Sequence, residues 1–113
     1  MQTFTHIFKD EVSAPSYRWT NLDGSEGGIV AESANIHPTA IISPTAEVGP
    51  GARIDSYALV CEDARIGRWA RIGRWARIGD RARIGNDARI GEGARIGEDA
   101  CIEPGTCISA DLT

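Results

Sequence analysis

No run of apolar residues in this chain approaches the ~20 needed to cross a bilayer, so no membrane partner is expected. Aromatic residues make up only 6% of it, too few for a core built around large rings. Its 3 cysteines are too few, and odd in number, for a secreted disulfide framework, which points to a reduced, cytoplasmic setting. Positive charge is also short: 12 basic residues face 16 acidic ones, for a net charge of -4. The whole molecule therefore lacks the basic excess of a non-specific nucleic-acid binder, and nucleic acid is not an expected partner. Any anion site must be local. The opening MQTFTH has neither the basic nor the apolar stretch of an export signal. A length of 113 residues leaves no room for a second full domain. What the chain has in plenty is glycine, 13 in all, and the glycines are not scattered.

Written in sixes from Ala34, the chain reads ANIHPT, AIISPT, AEVGPG, ARIDSY, ALVCED, ARIGRW, ARIGRW, ARIGDR, ARIGND, ARIGEG, ARIGED, ACIEPG and TCISAD. A branched aliphatic residue stands at every sixth position from Val30 to Ile108 without a slip. Two residues before each is alanine, except at the ends, where Gly28 and Thr106 take its place. A helix of 3.6 residues per turn would spread these isoleucines around its cylinder, so a helix is excluded. Alternation along a strand instead sends each Ala and Ile to one face and the residues beside them to the other. Short strands separated by Gly, Pro, Asp and Asn at a fixed interval predict a solenoid whose strands stack about 4.8 Å apart. Its core is a narrow ladder of Ile and Ala, which needs few rings.

These hexapeptides resemble the hexapeptide-repeat family over about residues 28–112. The resemblance implies an all-β fold, a left-handed parallel β-helix with three six-residue faces per coil and nearly five coils. Handedness comes from the resemblance, since the period alone does not carry it. The stretch IHPTAIISPTAEVGPGARIDSYALV is similar to the opening coils of UDP-N-acetylglucosamine acyltransferases. Residues 1–27 precede the repeat, which is expected to occupy 28–113. They carry Phe4, Ile7, Phe8, Val12, Tyr17 and Trp19 before the turn-rich NLDGSEGG. They would either cap the first coil, whose strand edge and core are otherwise open, or dock another protein. At the far end only Pro104, Ser109 and Asp111 suggest a stop.

If three hexapeptides make a coil, residues eighteen apart are stacked neighbours. Arg53, Arg71 and Arg89 then form one column and Arg77 with Arg95 another, while Asp63, Arg81 and Asp99 alternate in sign and Glu47 lies under Arg65. The arginine columns are either a solvated face or a basic stripe for a phosphate, carboxylate or nucleotide. In the second case Arg53, Arg71, Arg77 and Arg89 hold a small anionic ligand and Trp69 offers a stacking surface. Ile41, Tyr57, Leu59 and Trp75 fall together as an outward apolar patch, read as the interface of a homotrimer. A cyclic contact beyond two-fold is heterologous, so that patch would meet a different face of the next subunit, with the arginine stripe bordering the cleft. Glu62, Asp80 and Glu98 stack at one corner and are the candidate oxygen ligands for Ca²⁺ or Mg²⁺, but Arg81 beside them favours a plain acidic corner, and no metal is expected.

Chemistry is sparse. Many members of the family are acyltransferases in which an exterior histidine acts as general base. Here His37 is the one catalytic candidate, and the resemblance places it at a structural position. The period is never interrupted by a loop long enough to close over a substrate. No phosphate loop or CxxC pair occurs, and no cofactor is implied. Cys101 and Cys107 sit on successive faces rather than in one column, and Cys61 has no histidine to activate it. The reading is a non-catalytic homotrimeric assembly or binding module. An acyltransferase-like enzyme is the alternative, and a structural part of a larger viral or surface assembly a further one.

Overall fold

The computed structural model describes residues 4–7 and 13–108; Phe8, Val12, Ser109 and Asp111 lie outside the described residues. Every element is a strand. Three come first, β1 (Phe4–Ile7), β2 (Ser13–Thr20) and β3 (Glu26–Ala31). Two-residue strands follow at the six-residue interval: β4 Asn35–Ile36, β5 Ile41–Ile42, β6 Glu47–Val48, β7 Arg53–Ile54, β8 Leu59–Val60, β9 Arg65–Ile66, β10 Arg71–Ile72, β11 Arg77–Ile78, β12 Arg83–Ile84, β13 Arg89–Ile90, β14 Arg95–Ile96, β15 Cys101–Ile102 and β16 Cys107–Ile108. No described helix is long and apolar enough to cross a membrane.

The strands stack into three parallel sheets. The first runs β3-β6-β9-β12-β15 and is extended by β2 and β1; the second runs β4-β7-β10-β13-β16; the third runs β5-β8-β11-β14. Arg71 pairs with Arg53 and Arg89, and Arg77 with Leu59 and Arg95, so stacked residues are eighteen apart. The result is a β-solenoid of about four turns, with a further rung on two faces, consistent with a left-handed β-helix. Inside, the alternation does what the sequence implies. Ala40, Ala52, Ala58, Val60, Ile42 and Ile78 are completely buried. Each buried Ile contributes roughly 1.5–3 kcal/mol of apolar transfer.

Coils are joined by upward backbone bonds, such as Arg53 N–H to the carbonyl of Ala70 at 2.8 Å and Asp55 N–H to that of Ile72 at 2.9 Å. At the corners the direction reverses: Trp69 N–H donates down to Pro50 at 3.0 Å and Arg81 N–H to Glu62 at 2.8 Å. The residue that turns this N–H downward has a left-handed backbone. Tyr57, Asp63, Trp69, Trp75, Arg81, Asp87 and Asp99 all have φ near +60°. For bulky side chains this costs about 1–2 kcal/mol each, so the ladders on both sides must hold it. The repeating glycine lies elsewhere in the turn. A Cβ at Gly67 would come within 2.8 Å of Asn86 and Gly85 in the next coil, so its role is close approach.

The bottom of the stack is closed by side chains as well as by strands. β2 pairs antiparallel with β3, matching Tyr17 to Val30, and β1 pairs with β2. β3 begins at Glu26, so it crosses the expected boundary between residues 27 and 28. Asn21, only 6% exposed, presents its amide to the free edge of β5. Ser33, Thr39 and Thr45, six residues apart on the first coil, offer hydroxyls where the corners higher up use a main-chain carbonyl of the coil below. They accept the N–H groups of Gly51, Tyr57 and Asp63 at 2.9 to 3.0 Å.

Candidate functional site

The second sheet carries the candidate anion site. Its outward column runs Asn35, Arg53, Arg71, Arg89 and Cys107, in register rung by rung. β-Pairing fixes the arginine α-carbons about 4.8 Å apart. Among the described residues, none of the three arginines pairs with a carboxylate. Trp69 sits at the corner entering this sheet. Its ring lies on the α-carbon of Gly51, where an added Cβ would be 2.6 Å from a ring carbon, and still it is 64% exposed. Asn35, Gly51, Arg53, Trp69, Arg71, Asp87 and Arg89 line one open hollow of about 400 Å³. Arg77 is not among them: it lies on the third sheet, stacked on Leu59 and under Arg95.

The apolar patch spans the corner between the second and third sheets. Tyr57 and Trp75 stack face to face, ring centroids 4.5 Å apart and planes 10° from parallel. Ile41 and Leu59 are neighbours on the adjoining rungs of the third sheet. Ile41, Tyr57 and Trp75 are each at least half exposed, so the strip is an apolar surface left uncovered by the described residues.

His37 occupies the other side of the second sheet, in a hollow of about 450 Å³ with Asp55, Ser56, Gly73, Arg74 and Glu92. Its Nδ1 accepts the main-chain N–H of Thr39 at 3.2 Å and lies 2.8 Å from the Thr39 hydroxyl. That hydroxyl accepts the N–H of Tyr57, which leaves its own proton for His37. With Nδ1 accepting the Thr39 N–H, the neutral ring carries its proton on Nε2. The outward nitrogen is then a donor, which is the wrong polarity for a general base.

The acidic corner holds no cation cage. Asp80 accepts the backbone N–H of Glu62 at 3.2 Å, and Glu98 pairs with Arg81 at 3.1 Å. Among the described residues no group of three His, Cys, Asp or Glu side chains is placed to hold a metal ion. The alternating column is also only half as expected: Arg81 pairs with Asp99 above at 2.8 Å, while Asp63 below donates its N–H to Thr45. The Arg81 guanidinium hydrogen-bonds the Asp99 carboxylate and holds it below the usual aspartate range. Glu47 does reach Arg65, at 3.9 Å, and also His6 from β1, at 3.4 Å.

Compared with known families, residues 76–110 match the bacterial transferase hexapeptide, a model of six repeats. The chain carries the repeat of the hexapeptide-repeat family. No curated protein matches in sequence. Among solved structures, this hexapeptide-repeat chain is similar to a mutant GDP-perosamine N-acetyl transferase from Caulobacter crescentus, in complex with CoA and GDP-perosamine. The identity is 24% and the TM-score 0.42, over 74% of this chain and 45% of that one. It is also similar to a mutant of AntD, an N-acyltransferase from Bacillus cereus in complex with dTDP and coenzyme A, at 12% identity and TM-score 0.34. That match covers 75% of this chain and 72% of that one. The hexapeptide-repeat chain thus spans less than half the length of the Caulobacter protein.

Two features escaped the sequence. One is Asp87, whose corner position above Trp69 follows from the eighteen-residue count, while its place in the arginine hollow does not. The other is a groove of about 400 Å³ on the first sheet, whose lining includes Gly49, Gly67, Gly85, Pro50 and Pro104. Its signal was present too: three glycines eighteen apart leave a face without side chains.

Proposed function

We propose that this chain is a homotrimeric assembly and binding module that performs no chemistry of its own. It takes a small phosphate- or nucleotide-like anion at Arg53, Arg71 and Arg89 beside Trp69. The observation that carries this reading is the in-register arginine column without a carboxylate partner among the described residues. Like charges held a few ångströms apart repel, and an anion bridging them turns that repulsion into attraction. A trimer is supported by the uncovered strip of Ile41, Tyr57, Leu59 and Trp75, which burial against a neighbouring copy would desolvate. Residues 1–27 serve as the cap of the first coil, a reading supported by the β2 to β3 pairing and by Asn21.

The description of the matched family, a bacterial transferase repeat, favours a transferase as a second reading, and acyl transfer is the form the alternative takes. His37 is the base this reading would use, and its hydrogen bonds oppose that role.

Native mass spectrometry of the full chain, with calorimetric titration of inorganic diphosphate, tests the proposal. A trimer that binds diphosphate, and binds it at least tenfold more weakly as Arg71→Ala, is expected. A ligand-free monomer that ignores diphosphate would overturn it. So would acetyl transfer from acetyl-CoA that disappears in His37→Ala.

A further inference from the structure

The hollow beside the arginine column contains one group that repels the anion the column attracts. Asp87 stands on the corner directly above Trp69, one coil up, since its own N–H donates to the carbonyl of Arg68 at 2.8 Å. Its backbone is left-handed, with φ at +63°, and three arginines line the same hollow. Even so, its carboxylate makes no ion pair and accepts no hydrogen bond among the described residues. An acid in a basic hollow that none of the bases neutralises is available to something else, and what it can take is a donor.

The two ends of the hollow therefore ask for different things. Toward the column, Arg53, Arg71 and Arg89 ask for phosphate oxygens. At the corner, an exposed indole asks for a flat face and a carboxylate beside it asks for N–H groups. A nucleoside diphosphate has this polarity, with a ring at one end and charge at the other. Among the bases, guanine alone presents two adjacent donors, N1–H and the 2-amino group, on the edge a carboxylate can grip with both oxygens. Adenine offers an acceptor in the N1 position. Uracil places a carbonyl on each side of its single N–H. Both set an oxygen or nitrogen lone pair against the acid.

We infer that the hollow selects guanine nucleotides, with Trp69 stacking on the base, Asp87 accepting from its N1–H and 2-amino group, and the arginine column holding the diphosphate. This rests on the anion site proposed above and adds the class of ligand and the residue that chooses it. Stacking on an exposed ring is tolerant of the base. Selection falls to Asp87.

The test is calorimetric titration of the full chain with GDP, ADP and UDP, for the natural sequence and for Asp87→Asn and Arg71→Ala. Asparagine tolerates a left-handed backbone, so Asp87→Asn keeps the corner while removing the charge and one acceptor. GDP is expected to bind about tenfold more tightly than ADP or UDP, the discrimination of one good bidentate contact. Asp87→Asn should remove most of that preference, and Arg71→Ala should weaken all three nucleotides by a similar factor. Three equal affinities that all fall in Arg71→Ala would overturn the guanine assignment and leave the anion site standing. A guanine preference that survives Asp87→Asn would overturn the role of Asp87. No binding of any nucleotide or of inorganic diphosphate would overturn both the assignment and the site beneath it.

Discussion

Asn21 grips Ile42 by both polar groups of its backbone: the side-chain oxygen accepts Ile42 N–H at 2.9 Å, and the side-chain nitrogen donates to Ile42 C=O at 3.2 Å. A carboxamide is a short peptide bond in all but name, so it completes the edge of the third sheet as another rung would. Asn21→Ala leaves a buried donor and acceptor unpaired, which costs about 1–3 kcal/mol. Urea denaturation should show the midpoint falling with an unchanged slope. A change within about 0.5 kcal/mol, the range of ordinary surface substitutions, would show that the cap is not needed.

Gly67 and Gly97 occupy equivalent places in the repeat and should respond oppositely to alanine. A methyl at Gly67 meets Asn86 at 2.6 to 2.8 Å and the Gly85 carbonyl carbon at 2.8 Å, whereas at Gly97 nothing lies within 4 Å. Gly67→Ala should destabilise by about 1–3 kcal/mol through overpacking. Gly97→Ala should be neutral or stabilise by up to about 1 kcal/mol, because alanine has less freedom to lose. Thermal melts of the pair decide it, and equal shifts would contradict the close-approach account.

The three thiols should react in a fixed order. Burial pushes the Cys61 thiol above its ordinary range, and the nearby Asp80 charge adds to this against the opposing Arg77. Cys101 and Cys107 are exposed. Since the thiolate is the nucleophile, Cys61 should be modified last by an aromatic disulfide reagent at neutral pH. Peptide mapping of a time course checks this, and early labelling at Cys61 would refute it.

Acid should loosen one corner before the rest. The Arg81 hydrogen bond depresses the folded-state titration of Asp99, so its contribution to stability is present above the unfolded aspartate range and lost as pH falls through the lower folded value. Both partners are open to solvent, which keeps the effect small. Carbon-detected NMR should place the Asp99 midpoint below that of an ordinary aspartate, and Arg81→Gln should return it to normal.

The coil itself was legible because Ile and Ala recur at a spacing that only a six-residue strand-and-turn unit satisfies. The arginine columns followed by counting eighteen, and β-pairing puts Arg53, Arg71 and Arg89 where the count puts them. The ends were harder. Asn21 lies outside the repeat in a turn-rich stretch, and nothing local says that its amide will face a residue twenty-one positions on. The left-handed corners were hidden for a different reason. Tyr57, Trp69 and Trp75 are residues that ordinarily avoid positive φ, whereas glycine marks the same corner at Gly51, Gly93 and Gly105. Arg77 is expected among the ligand residues from a column of its own, and pairing with Leu59 and Arg95 puts that column on the third face.

The identical ARIGRW units at 64–69 and 70–75 place Trp69 and Trp75 on different corners. Gene-level insertion or loss of one hexapeptide would leave every core contact chemically satisfied. It would also rotate all later residues onto the next face, so that the arginine column would be broken in the middle and its upper part moved around the prism. Gain or loss of eighteen residues would only lengthen or shorten the prism. A chain built this way can change its height freely, but its surface survives editing only in whole coils.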